Sequence, residues 1–149
     1  MRVQAAIEVG ASPRLVWDVV TDPDQLPRFM AGLTRWEPAG GPPSGLGARY
    51  RVRMIVGSAH VGGLVEVVEF DDGRDMAWTN VTGVDHRGRW RLREGRQGHT
   101  EVTLRLSYSA PGGLLGVLAD RLAAPMVRRN LRSSVLGLKR LVEQHAAAS

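Results

Sequence analysis

Few side chains in this sequence combine reactive chemistry with a place on an apolar face. His86, Tyr108, Tyr50 and Asn80 stand in stretches whose residues alternate between two chemical classes, and each falls in the inward register. A buried imidazole, phenol or amide costs about 1–3 kcal/mol when it finds no partner, so such groups either satisfy nearby backbone and water or meet something bound. All four are suited to orienting a carbonyl or a hydroxyl. His86 and Tyr108 also supply a base and an acid for proton transfer, the pair that a condensation or dehydration needs. No second carboxylate or lysine shares their register to tune the imidazole.

Other chemistries lack their residues. The chain has 149 residues and no cysteine, which excludes a disulfide framework, a thiolate metal site and a cysteine nucleophile. His60, His86, His99 and His145 are scattered and far from acidic pairs, so no metal is expected. No glycine-rich phosphate loop follows a strand, Gly40-Gly41 sits among prolines as a turn, and no nucleotide cofactor is expected. Ser107 and Ser109 fall in the outward register without a nucleophile elbow, so serine hydrolysis has no support. The formal charge of +5 invites a nucleic-acid reading, but of 20 basic residues only Lys139 is lysine, and the arginines run from Arg2 to Arg140 without a polybasic tail.

Positioning these residues requires a sheet and a helix. Val3 to Val9 reads as a first strand, and Ser12-Pro13 opens a helix carrying Leu15, Val16, Val19 and Val20, which must stop near Thr21 because Asp22 precedes Pro23. A second short helix is predicted over Asp24 to Met30. The period then changes to two, and six further strands are predicted: Thr34–Pro38, Ala48–Val56, Ala59–Phe70, Asp75–Thr82, Arg87–Glu94 and His99–Ser109, with a bulge at Gly62-Gly63. After Pro111 to Gly113, the residues Leu114, Leu118, Leu122, Met126, Leu131, Val135, Leu138 and Val142 recur at helical spacing, with a kink or break expected just before Pro125.

On three strands the two faces differ sharply. Tyr50, Val52 and Met54 alternate with Arg49, Arg51 and Arg53. His86, Gly88, Trp90 and Leu92 alternate with Arg87, Arg89, Arg91 and Arg93, and Val102, Leu104, Leu106 and Tyr108 with Glu101, Thr103, Arg105 and Ser107. The apolar face needs a cover, and the long C-terminal helix is the only large element available. A single α+β domain over residues 1–149 is expected, its curved antiparallel sheet of seven strands wrapped around that helix, with two short helices after strand 1.

This order resembles the helix-grip fold of the START-like (SRPBCC) superfamily, in particular the bacterial polyketide cyclase/dehydrase and lipid-transport group. The resemblance rests on Ile7-Glu8-Val9, Ala11-Ser12-Pro13 with Val16-Trp17, Asp22-Pro23 with Pro27 and Phe29, Gly45-Leu46-Gly47 before Tyr50, Glu66-Val67-Val68-Glu69-Phe70, Ala77-Trp78, and Asn130-Leu131 through Leu138-Lys139. These are mainly architectural residues, and they name no reaction.

The resemblance implies an apolar cavity between the concave face of the sheet and the C-terminal helix, and hence a hydrophobic small-molecule partner such as a lipid, fatty acid or polyketide-like compound. By alternation its walls would include Tyr50, Val52, Met54, Trp78, Asn80, His86, Trp90, Leu104, Leu106, Tyr108, Leu118, Leu122 and Met126, although a filled core would use the same residues. An alternative is a polyketide cyclase or dehydratase with His86 and Tyr108 as catalytic residues. Aromatase/cyclases of the superfamily are expected to carry a cavity arginine, whereas the strand arginines here face outward. A third reading is a regulatory or stress-associated interaction module.

The outer arginine rows, paired in part with Glu66, Glu69, Asp75 and Glu101, read as a solvated face rather than a nucleic-acid platform, since no outward aromatic offers stacking. The segment Pro111 to Pro125 is apolar and rich in glycine, suited to a movable gate or to contact with a membrane or a second subunit in a homodimer. No apolar run approaches the roughly 18 residues of a membrane span, and a cytoplasmic protein without stable membrane insertion is expected.

Overall fold

The computed structural model describes residues 1–56, 58–109 and 113–148, with only the backbone described over 113–122. Strand β1, Arg2–Val9, leads into α1, Pro13–Val20. The Ser12 hydroxyl accepts from the Leu15 N–H at 3.3 Å, and proline opens the helix where no donor is needed. The helix closes at Thr21, whose N–H and hydroxyl both donate to the Trp17 carbonyl. Helix α2 covers only Leu26–Phe29, shorter than the expected Asp24–Met30. The Asp22 carboxylate accepts from the Asp24 N–H at 2.9 Å and keeps that segment a turn, and Met30 is already extended.

Six more strands follow: β2 Leu33–Pro38, β3 Arg49–Val56, β4 Ala59–Asp71, β5 Asp75–Asn80, β6 His86–Glu94 and β7 Thr100–Tyr108. They form one antiparallel sheet in the order β1-β7-β6-β5-β4-β3-β2. The bulge expected at Gly62-Gly63 is absent, since Val52 pairs with Gly63 and Arg53 with Gly62 in unbroken register. The shifts fall instead at Leu33/Arg35 and at Val67/Glu69. Gly63 serves a close backbone approach: a Cβ there would lie 2.4 Å from the Thr82 carbonyl oxygen. Strand β5 stops at Asn80 rather than Thr82, because the Val81 and Thr82 N–H groups both turn back onto the Leu64 carbonyl.

Helix α3, Gly113–Ala148, runs through Pro125 as one helix, without the expected break. Its buried stripe is Ala124, Val127, Leu131, Ser134, Val135, Leu138 and Val142, at the helical spacing of three and four. Met126, placed on the stripe by sequence, is 39% exposed and lies at its edge. The helix packs on β1 and β7 and against both short helices. Polar ties fix its rotation: Ser134 Oγ accepts from the Ala31 N–H at 2.9 Å and donates to the Asn130 carbonyl, and Lys139 Nζ donates to the Glu8 carbonyl at 3.0 Å. Among the described residues, no helix is long and apolar enough to cross a membrane.

Candidate functional site

The space between sheet and helix divides into a filled half and an open half. In the filled half, Trp36 stacks on Tyr50 with ring centroids 5.2 Å apart and meets Trp78 edge-on at 5.8 Å. Trp78 lies across β6 at Gly88, where a Cβ would stand 2.0 Å from the indole. Phe29 of α2 packs edge-on against Trp90, and Trp17 of α1 meets Phe70 at a tilt. Tyr50, Trp78, Trp90 and Leu104, all predicted for the cavity wall, therefore sit in this packed core and do not line the cavity. Burial also pushes the Tyr50 phenol above its usual range.

The open half is a cavity of about 360 Å³ at the end of the sheet. The β3–β4 hairpin contributes Val52, Met54, Val56, Ala59 and Val61. The turn after β5 adds Thr82 and Val84, the facing ends of β6 and β7 give His86, Leu106 and Tyr108, and α3 closes the space with Ala123, Met126 and Val127. Val52, Met54, His86, Leu106, Tyr108 and Met126 from the predicted wall thus come together here. The Leu118 and Leu122 side chains lie outside the described residues, as do the other side chains of the expected Pro111 to Pro125 gate up to position 122.

His86 and Tyr108 face each other as register partners on neighbouring strands. His86 Nδ1 lies 2.8 Å from the Val84 carbonyl oxygen; a carbonyl can only accept, so Nδ1 carries the proton and Nε2 is left as the acceptor of the neutral ring. Asn80, predicted to meet ligand, accepts from the His86 N–H through Oδ1 at 3.1 Å and holds the turn that positions the histidine. Ser109, expected to face outward, reaches the cavity rim because β7 ends at Tyr108 and alternation no longer applies; its hydroxyl donates to Asp85. Thr82 accepts from the Leu64 N–H.

Val56, Ala59, Val61, Val84, Ala123 and Val127 are wall residues that sequence reasoning missed. The hairpin valines carried a usable signal: they continue the apolar register of β3 across the turn. Among the described residues no arginine lines the cavity, and no three His, Asp or Glu side chains are gathered as a metal site requires. Some of the strand arginines engage carboxylates on the opposite face. Arg49 pairs with Glu66 at 2.7 Å, Arg89 bridges Glu69 and Asp75, and Arg91 reaches Asp75 at 3.0 Å. The Arg89 hydrogen bond holds the Glu69 carboxyl below its ordinary value.

A curled antiparallel sheet gripping a C-terminal helix, with an apolar cavity at one end, is the helix-grip arrangement expected from the sequence. The chain belongs to the polyketide cyclase / dehydrase and lipid transport family, whose model matches residues 1–143. No curated protein matches it in sequence. Among solved structures it is similar to TTHA0849 from Thermus thermophilus, with 24% identity, all of both chains covered and a TM-score of 0.84. It is also similar to the Zhui aromatase/cyclase from Streptomyces sp. R1128, with 18% identity over 98% of this chain and 95% of that one and a TM-score of 0.82. A START superfamily protein from Mycobacterium smegmatis is 16% identical, with 96% and 97% covered and a TM-score of 0.77. At these identities the likeness is one of fold.

Proposed function

We propose that the chain binds a hydrophobic small molecule, a lipid, fatty acid or polyketide-like compound, in the cavity between the β3–β4 hairpin and α3. The composition of the wall carries this reading: aliphatic and thioether side chains dominate, and the polar groups are few and convergent. The 360 Å³ volume stands at the lower end of the about 300–1,000 Å³ of small-molecule sites, which favours a compact ring system or a short acyl chain. His86 and Tyr108 are placed to meet a carbonyl or hydroxyl on such a ligand. Native mass spectrometry of gently purified protein, with solvent extraction of anything bound, tests the reading. A stoichiometric apolar compound is the expected result. A bare chain mass, together with no displacement of an environment-sensitive dye by lipids and aromatics, would overturn it.

The opposed His86 and Tyr108 support a second reading, a cyclase or dehydratase. A neutral imidazole with Nε2 as acceptor can take a proton from an activated carbon, and the phenol across the ladder can protonate the departing or carbonyl oxygen. His86→Ala separates the two functions. A carrier keeps its ligand and shows no turnover to lose, whereas an enzyme loses about 10²–10⁴-fold in turnover of a polyketone while still binding it.

A further inference from the structure

The outer face of the sheet, opposite the cavity, carries a recess of about 150 Å³ over β1, β7 and β6. Its walls are Arg89, Arg91, Arg93 and Arg105, with Gln4, Thr103 and Glu101 between them. The register builds it: Arg105 stands between Gln4 and Arg89, Thr103 beside Arg91, and Glu101 beside Arg93. The carboxylates are unevenly shared. Glu69 and Asp75, on the β5 side, engage Arg89 and Arg91, while Arg105 Nε donates only to the neutral Gln4 Oε1 at 3.4 Å. Among the described residues, no carboxylate pairs with Arg105. Desolvation first, and then the charges of Arg2, Arg91 and Arg89, make its protonated state harder to hold than usual.

We infer that this recess is a binding site for a single phosphate-like oxyanion, such as the head of a phosphomonoester. Tetrahedral oxygens match guanidinium donors, the Thr103 hydroxyl and the Gln4 amide add neutral donors, and an anion relieves the like-charge crowding around Arg105. The recess holds one oxyanion rather than a nucleic-acid strand, because the outward residues of these strands include no aromatic to stack bases. The inference is independent of whatever fills the apolar cavity.

Inorganic phosphate is titrated against the whole chain, following the melting temperature and the arginine Nε–Hε resonances, with sodium chloride at matched ionic strength as reference. A saturable response specific to phosphate is expected, weakened at least about tenfold in Arg105→Met and unchanged in Arg51→Gln, which lies on the same face outside the recess. A response no greater than that of chloride, or full affinity in a folded Arg105→Met protein, overturns the site. Vesicles of phosphatidic acid in phosphatidylcholine then distinguish the sources. Capture that depends on Arg105 makes the anion a lipid head group, and saturable phosphate binding without capture makes it a soluble phosphate compound.

Discussion

Gly88 shows how a missing side chain can position a large one. Its place in the inward register of β6 is taken by the Trp78 indole, so Gly88→Ala forces the indole, and with it Trp36 and Tyr50, out of a packed stack. Overpacking of this kind costs about 1–3 kcal/mol, and the upper end is expected here because the clash is with a ring wedged on both sides; urea denaturation measures it. The same position explains what the sequence conveyed and what it withheld. Alternation correctly assigns Tyr50, Trp90 and Leu104 to the inner face along with Val52, His86 and Tyr108. It cannot tell which of them meet a cavity, because filling depends on side chains from other strands and on α2, where Phe29 seals the space above Trp90. Asn80 shows the same limit: its partner is the backbone of a turn whose path alternation does not describe.

At the scale of elements, the strands were legible because their periodicity is uninterrupted, while joints and ends were not. The Gly62-Gly63 pair marks where the turn after β5 presses on β4, a contact between segments that look independent along the chain. Ser134 is another such joint, buried on α3 and holding the Ala31 N–H beyond α2. Ser134→Ala strands that donor and is expected to cost about 1–3 kcal/mol in denaturant titration. The far end of α3 is tied to β1 by an acid-sensitive contact. Lys139 Nζ stands 2.7 Å from Glu143, which also accepts from the Gly10 N–H, and these bonds hold the Glu143 carboxyl below its ordinary 4.5. A depressed carboxyl stabilises the fold above its unfolded value and loses that contribution as pH falls through the folded one. Stability should therefore decline below about pH 4.5, and Glu143→Gln should flatten that decline in melting temperatures recorded from about pH 6 to about pH 3.

Taken as a whole, the molecule separates its two faces by chemistry: an arginine-rich convex side and an apolar concave side, one end of which stays open among the described residues. Filling that end should abolish binding without unfolding the chain. Val61→Phe places a ring in the cavity from the hairpin, and stability is expected to stay within about 1 kcal/mol of the parent. The parent, but not this variant, should gain about 2.7 kcal/mol at a ligand concentration of a hundred times Kd, read as a rise in melting temperature.

The filled half has an optical consequence. Trp17, Trp36, Trp78 and Trp90, all four indoles of the chain, are buried in the core, and none borders the cavity. Their emission should be blue-shifted in the native state and move to the red as one signal on unfolding. A molecule entering the open half touches no indole directly, so occupancy should leave that spectrum nearly unchanged unless the ligand itself absorbs the emitted light.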